Sequence, residues 1–228
     1  MTPSPSLRQM AARLRRSTRG VAMVEFALCL PFVVLTTMTA AELTNYTTTK
    51  MRVSQLALQI ADNASRVGAG TVQSTRTVSE LQLNDLLTGA NIQSGRLNLF
   101  GNGRVIISSL QPGAATNTYV VKWQRCKGAK SFTSAYPAAG TTERSTTSAT
   151  ANLFKVTPPP GGAVIFVEIN YTYQPLIGNN FLPLTGSRDI KEIAAMTVRD
   201  NRDYTGGTNG IYNSENAPIA RCNLFSAT

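Results

Sequence analysis

The side chains able to do chemistry are few, and one of them stands where a charge is costly. Glu25 is the single ionisable acid in an apolar run from Val21 to Ala41, and it lies five residues after Gly20, which closes a basic stretch. An ionised carboxylate within hydrocarbon costs about 3 kcal/mol or more, so such a residue calls for a partner. Cutting the chain after Gly20 would create one. The new α-amino group of Val21, with a pKa near ~8, would stand four residues before Glu25, about one helical turn away. That cation can pair with Glu25 of its own chain or of a neighbouring copy. The arrangement points to a helix that packs laterally against copies of itself.

Other chemistry is sparse. There is no histidine, which removes the commonest general base and transition-metal ligand and, with them, the usual serine or cysteine triads. Of three cysteines, Cys29 lies within the apolar run and reads as a small apolar residue. Cys126 and Cys222 fall in the remainder and are expected to pair in an oxidising compartment, closing a loop of about 97 residues; two free thiols are the alternative. Asp200, Asp203 and Asn209 flank a Gly-rich run, but their spacing fits no EF-hand loop, and a solvated turn is the simpler reading. Glu168 and Glu192 read as exposed strand acids rather than an acid–base pair. Gly101-Asn102-Gly103 is followed by nothing helical and fails as a nucleotide loop. Asn45, Asn63 and Asn170 head N-x-S/T sequons, but two of them fall on an expected helix and glycosylation is not expected. No metal site, cofactor or enzymatic cluster is expected.

The net charge of +10 suggests nucleic acid at first sight. Arg8, Arg13, Arg15, Arg16 and Arg19 supply half of it within the first 20 residues, which hold no acid. The rest carries 17 basic against 12 acidic residues without a dense basic stripe, and a nucleic-acid partner is not expected.

The elements that must position Glu25 follow from the patterning. Val21 to Ala41, as a helix, is ~31 Å long, the thickness of a bilayer's hydrocarbon core. Beyond Glu42 the pattern turns one-sided, with Val53, Leu56, Ala57, Ile60, Ala61, Ala64 and Val67 at intervals of three and four. One helix of ~47 residues, roughly 70 Å, is therefore expected from Val21 to about Val67. Pro31 should kink it near Ala27, Thr47-Thr48-Thr49 should loosen it, and Gly68 and Gly70 should end it. A short helix is expected at 77–88. Strands are expected at 96–100 and 104–110 around a Gly101-Asn102-Gly103 turn, and at 119–126 with Tyr119, Val121 and Trp123 on one face. Residues 128–160 read as a long surface excursion, with a short strand at 152–156. Ala163 to Tyr173 is the clearest strand, with Ile165, Val167, Ile169, Tyr171 and Tyr173 on one face. A partner strand follows at 189–199, then a loop-like tail. Helix first and strands afterwards make this an α+β chain, a long N-terminal helix packed on a C-terminal antiparallel sheet. It divides into a basic leader (1–20), a membrane half (21–41), an amphipathic half (42–68) and an exported α+β domain (69–228).

Gly20, Glu25-Phe26 and Pro31 together resemble the processing site of type IV pilins, most nearly the TadE/TadG-like minor pilins or pseudopilins of the tight-adherence (Tad) pilus. Val167 to Arg199 resembles, more weakly, the C-terminal strands of TadE-like proteins. The resemblance implies that a prepilin peptidase cuts between Gly20 and Val21 and that Glu25 serves processing or assembly. It also implies that other pilin subunits pack on the helix. The expected location is the bacterial inner membrane, with a periplasmic domain that can enter an extracellular pilus. Two plainer readings stand beside it. One is an uncleaved signal anchor carrying a periplasmic binding domain, oriented by its arginines. The other is a secretory signal cleaved at Thr39-Ala40-Ala41.

Overall fold

A computed structural model describes residues 20–71, 74–116, 118–144, 157–177 and 188–227. The chain divides into two compact units: Met1–Asn45 with Pro175–Pro183, and Tyr46–Gln174 with Leu184–Thr228. It is an α+β fold, with a long N-terminal helix followed by an antiparallel sheet.

Helix α1 runs without interruption from Val21 to Arg66. It contains no glycine, and Pro31 sits inside it. Within the second unit its expected stripe, Val53, Leu56, Ala57, Ile60, Ala61 and Ala64, is buried in the main core. Each large aliphatic there contributes about 1.5–3 kcal/mol by leaving water. The helix ends where Gly68 turns to φ 149°. Arg202 closes that end, its guanidinium donating to the carbonyls of Ser65 (3.1 Å) and Val67 (2.6 Å). A cation at a helix C-terminus satisfies carbonyls that have no donor within the helix.

The second helix departs from expectation. Strand β1 takes Val78–Ser79, and α2 runs from Glu80 to Ser94. Ser79 starts it through a capping box: the Gln82 N–H donates to Ser79 Oγ (3.3 Å), and the Ser79 N–H donates to Gln82 Oε1 (3.1 Å). Gly89 does not stop this helix, since Leu83, Leu87 and Ala90 bury its inner face on both sides of the glycine.

The expected 96–100 strand and its turn at Gly101–Gly103 do not form. Gly95–Leu97 is a 3-10 turn and Leu99–Asn102 a short helix, α3. Asn98 adopts the left-handed conformation, and the Leu99 N–H donates to Ser94 Oγ. Leu99 and Phe100 thereby enter the core at adjacent helical positions. Gly103 then opens the central strand. A side chain there would stand 2.8 Å from the Asn170 carbonyl oxygen, so the close approach of the strand carrying Asn170 requires glycine.

The five-stranded sheet is antiparallel with order β4-β3-β2-β5-β6. Its strands are β2 (Gly103–Pro112), β3 (Thr118–Lys127), β4 (Thr142–Arg144), β5 (Val164–Thr172) and β6 (Asp189–Thr197). On β5, Ile165, Val167, Ile169 and Tyr171 face the α1 side, and Tyr173 continues that face edge-on against Tyr46. Val164 and Phe166 face a second cluster with Leu110, Val121 and Tyr136. The expected common face of Tyr119, Val121 and Trp123 fails at one residue. Ser109 pairs with Trp123 and Leu110 with Val121, so Lys122 is extra. This bulge reverses the alternation and sends Trp123 to the main core while Tyr119 and Val121 join the second cluster.

Residues 128–160 are not only a surface excursion. Tyr136 is buried against Phe166, and β4 extends the sheet beyond β3. The expected strand at 152–156 lies outside the described residues. The tail is pinned at several points: β7 (Ile211–Tyr212) pairs parallel with β1, Ser226 bridges Gly128, and Cys222 is bonded to Cys126.

Candidate functional site at the N-terminal helix

The first half of α1 offers an apolar surface and hides its polar groups. Val21, Met23, Val24, Phe26, Leu28, Leu30, Phe32, Val33, Val34 and Leu35 are all exposed. It belongs to the one described helix long and apolar enough to cross a membrane, and the chain covers none of that apolar window. Its threonines turn their hydroxyls inward. Thr36 donates to the Phe32 carbonyl (2.9 Å), Thr37 to Val33 (2.9 Å) and Thr39 to Leu35 (2.7 Å). Each hydroxyl proton is spent on the helix's own backbone, which lets these residues face hydrocarbon without an unmet donor. Pro31 has no N–H, so the Ala27 carbonyl lacks its usual donor one turn on.

Gly20 sits at the entrance of α1, exposed, with nothing within 4 Å of where a side chain would project. The local fold therefore makes no demand for glycine at this position. Glu25, one turn beyond Val21, is exposed and makes no hydrogen bond or ion pair among the described residues. Cys29 is an exposed free thiol one turn further.

Glu42 is different, and the pattern in sequence did not reveal it. Only 2% of its surface is exposed. One of its carboxylate oxygens accepts from the backbone N–H of Leu176 (3.0 Å) and of Ile177 (3.1 Å), all within the first unit. The acid that ends the apolar run thus holds a piece of chain 134 residues away.

In the second unit, the expectation of an exposed Glu168 is overturned. Its carboxylate is buried at 2% exposure, accepting from the Ser134 hydroxyl and the Ala135 N–H. Burial pushes its pKa up, and the two donors oppose that only in part. The sequence held a usable signal: in Val164–Val167, just before Glu168, both parities are apolar, which marks a strand covered on both faces. Tyr136 is likewise pushed up by burial and by the nearby Glu168 charge. Glu192 is half-buried. Glu80 and Arg125 form a buried ion pair that was not foreseen.

These groups do not assemble into a catalytic or metal site. Asp200 pairs with Arg76 at 3.0 Å. Asp203 accepts from the Tyr212 hydroxyl, the Thr205 N–H and the Gly206 N–H, which hold its carboxyl well below the usual carboxylate range. Among the described residues, no group of acids and cysteines is placed to hold a metal ion. Asn170 is buried, so its sequon is closed to modification in the folded chain.

The raised pKa of Glu168 has a measurable sign. The folded protein keeps this proton to a higher pH than the unfolded chain, so N binds more protons than U across that interval. Stability from this group is fully present below the ordinary carboxylate range. It is lost as pH rises through the raised folded value. In urea titrations of the detergent-solubilised protein between about pH 4 and 8, Glu168→Gln is expected to flatten that decline. An unchanged slope would remove Glu168 as its source.

No curated protein and no solved structure matches the chain. Residues 20–69 match the family model for TadE-like proteins, a stretch that takes in Gly20, all of α1 and its glycine stop. Over this segment the chain is similar to TadE-like proteins.

Proposed function

We propose that the chain is a non-enzymatic minor pilin or pseudopilin of a Tad-type (type IVb) pilus. It inserts in the bacterial inner membrane with its second unit on the periplasmic side. A prepilin peptidase cuts between Gly20 and Val21, and the subunit packs through α1 against other pilin subunits. Glu25 then meets the α-amino group of Val21, its own or a neighbour's. No cofactor, metal or nucleic acid enters this role.

The observation that carries the reading is the contrast along α1. Its first half is apolar and exposed with a lone acid one turn from Val21, while its second half buries one stripe in the core. A helix exposed and apolar all round needs lipid or other helices to cover it. Gly20 agrees, because nothing in the fold asks for glycine there whereas a peptidase can read it.

Intact-mass and N-terminal analysis of the protein extracted from membranes tests the proposal. A chain beginning at Val21 is expected. Gly20→Phe should leave the leader attached, and Glu25→Ala should reduce processing or incorporation into filaments. A mature chain beginning at Glu42 would instead make this a secreted protein. A retained leader with a silent Glu25→Ala would make it a single-pass membrane protein with a periplasmic binding domain.

A further inference from the structure

Glu42 marks a definite height on α1. The apolar run Val21–Ala41 rises ~31 Å, so where the helix spans a bilayer its next residue stands at the outer edge of the hydrocarbon. At that level the carboxylate is covered by chain rather than by solvent, and the two backbone amides it binds belong to Leu176 and Ile177. The pairing answers two needs at once. A carboxylate at the hydrocarbon boundary requires donors, and backbone amides brought to that depth require acceptors. Leu176 is 66% exposed there, and Leu43, beside Glu42, is 54% exposed. A scattered exposed leucine means nothing by itself. A leucine whose own amide is tied to the last level of a membrane-length helix has its depth prescribed.

We propose that Leu176–Ile177 is a second, non-helical membrane contact, held on α1 by Glu42, with Leu176 seated at the boundary between lipid headgroups and acyl chains. The occupant is the lipid surface. This rests on the membrane-spanning reading of α1. Its consequence is rotational: a helix anchored at one point can spin about its axis, and a second contact on one side fixes which face meets the neighbouring subunits.

The test uses the full chain in vesicles of phosphatidylethanolamine and phosphatidylglycerol carrying spin-labelled lipid, labelled either at the headgroup level or deep in the acyl chain. In a Cys29→Ser background, an environment-sensitive dye is placed through Leu176→Cys or, as a companion, Leu30→Cys near the middle of the apolar run. At position 176, quenching should be at least about twofold stronger from the shallow label than from the deep one, and position 30 should show the reverse order. Glu42→Ala should reduce the quenching at 176 by about half or more and leave position 30 unchanged. Quenching at 30 with none at 176 overturns the inference while leaving the membrane reading intact; such a Leu176 faces water or a protein. Unaltered quenching at 176 in Glu42→Ala overturns the role of Glu42. No quenching at 30 overturns the membrane reading and the inference together.

Discussion

Arg104→Ala should lower the unfolding free energy of the detergent-solubilised protein by about 3–4 kcal/mol, read from the urea midpoint at constant slope. Arg104 is wholly buried in the central strand of the sheet. Its guanidinium donates to the carbonyls of Gly128 (3.0 Å), Leu224 (3.0 Å) and Cys222 (2.6 Å) and lies 4.2 Å from the centroid of the Phe225 ring. Carbonyl dipoles and an aromatic face solvate the cation, and burial lowers its pKa from the ordinary arginine value. Truncation would leave three carbonyls without this donor and open a cavity as large as the side chain. Lysine has one compact ammonium where arginine has a planar fork, so Arg104→Lys should recover only part of the loss. Amide exchange of residues 222–226 should rise in both variants. Normal protection there would show that the tail does not depend on Arg104.

Replacing Cys126 and Cys222 by serine should cost about 4–5 kcal/mol at most, the loop-closure entropy of joining residues 96 apart. The bond ties the end of β3 to the tail, next to the carbonyl that Arg104 binds. The two devices therefore hold one object. Without the bond the tail must be ordered by Arg104 alone, so their energies should not add. The combined variant is expected to depart from the sum of the separate losses by about 1 kcal/mol. Additivity within a few tenths would mean that the tail folds independently of either device. A free-thiol count on the protein isolated from cells, before and after reduction, establishes that the bond forms there.

Much of the scaffold was readable because it depends on local periodicity. The α1 stripe and the β5 face came from spacings of three or four and of two, and both match the observed core. Failures occurred where one residue changed the count. The Lys122 bulge inverted half of β3, and Asn98 in a left-handed conformation replaced a strand by a helical turn. The true start of α2 was present as Ser79-x-x-Gln82, yet the apolar pattern beginning at Val78 drew the boundary three residues too early and Gly89 drew the end six too soon. Gly89 is tolerated because packing on both sides outweighs its roughly 1 kcal/mol helix penalty.

By itself the sequence determined the long helix, its division into an exposed apolar half and a striped half, the lone Glu25 beside Gly20, and the strand-rich remainder. These are properties of neighbours along the chain, where composition and period act directly. Only the tertiary structure decided the fate of the buried charges. Glu42 found the amides of Leu176 and Ile177, Glu168 found Ser134 and Ala135, Arg202 found the end of α1, and Arg104 found the tail. A charged side chain can be buried only where distant backbone supplies its partners, and no spacing along the sequence reveals which distant groups the fold will bring there.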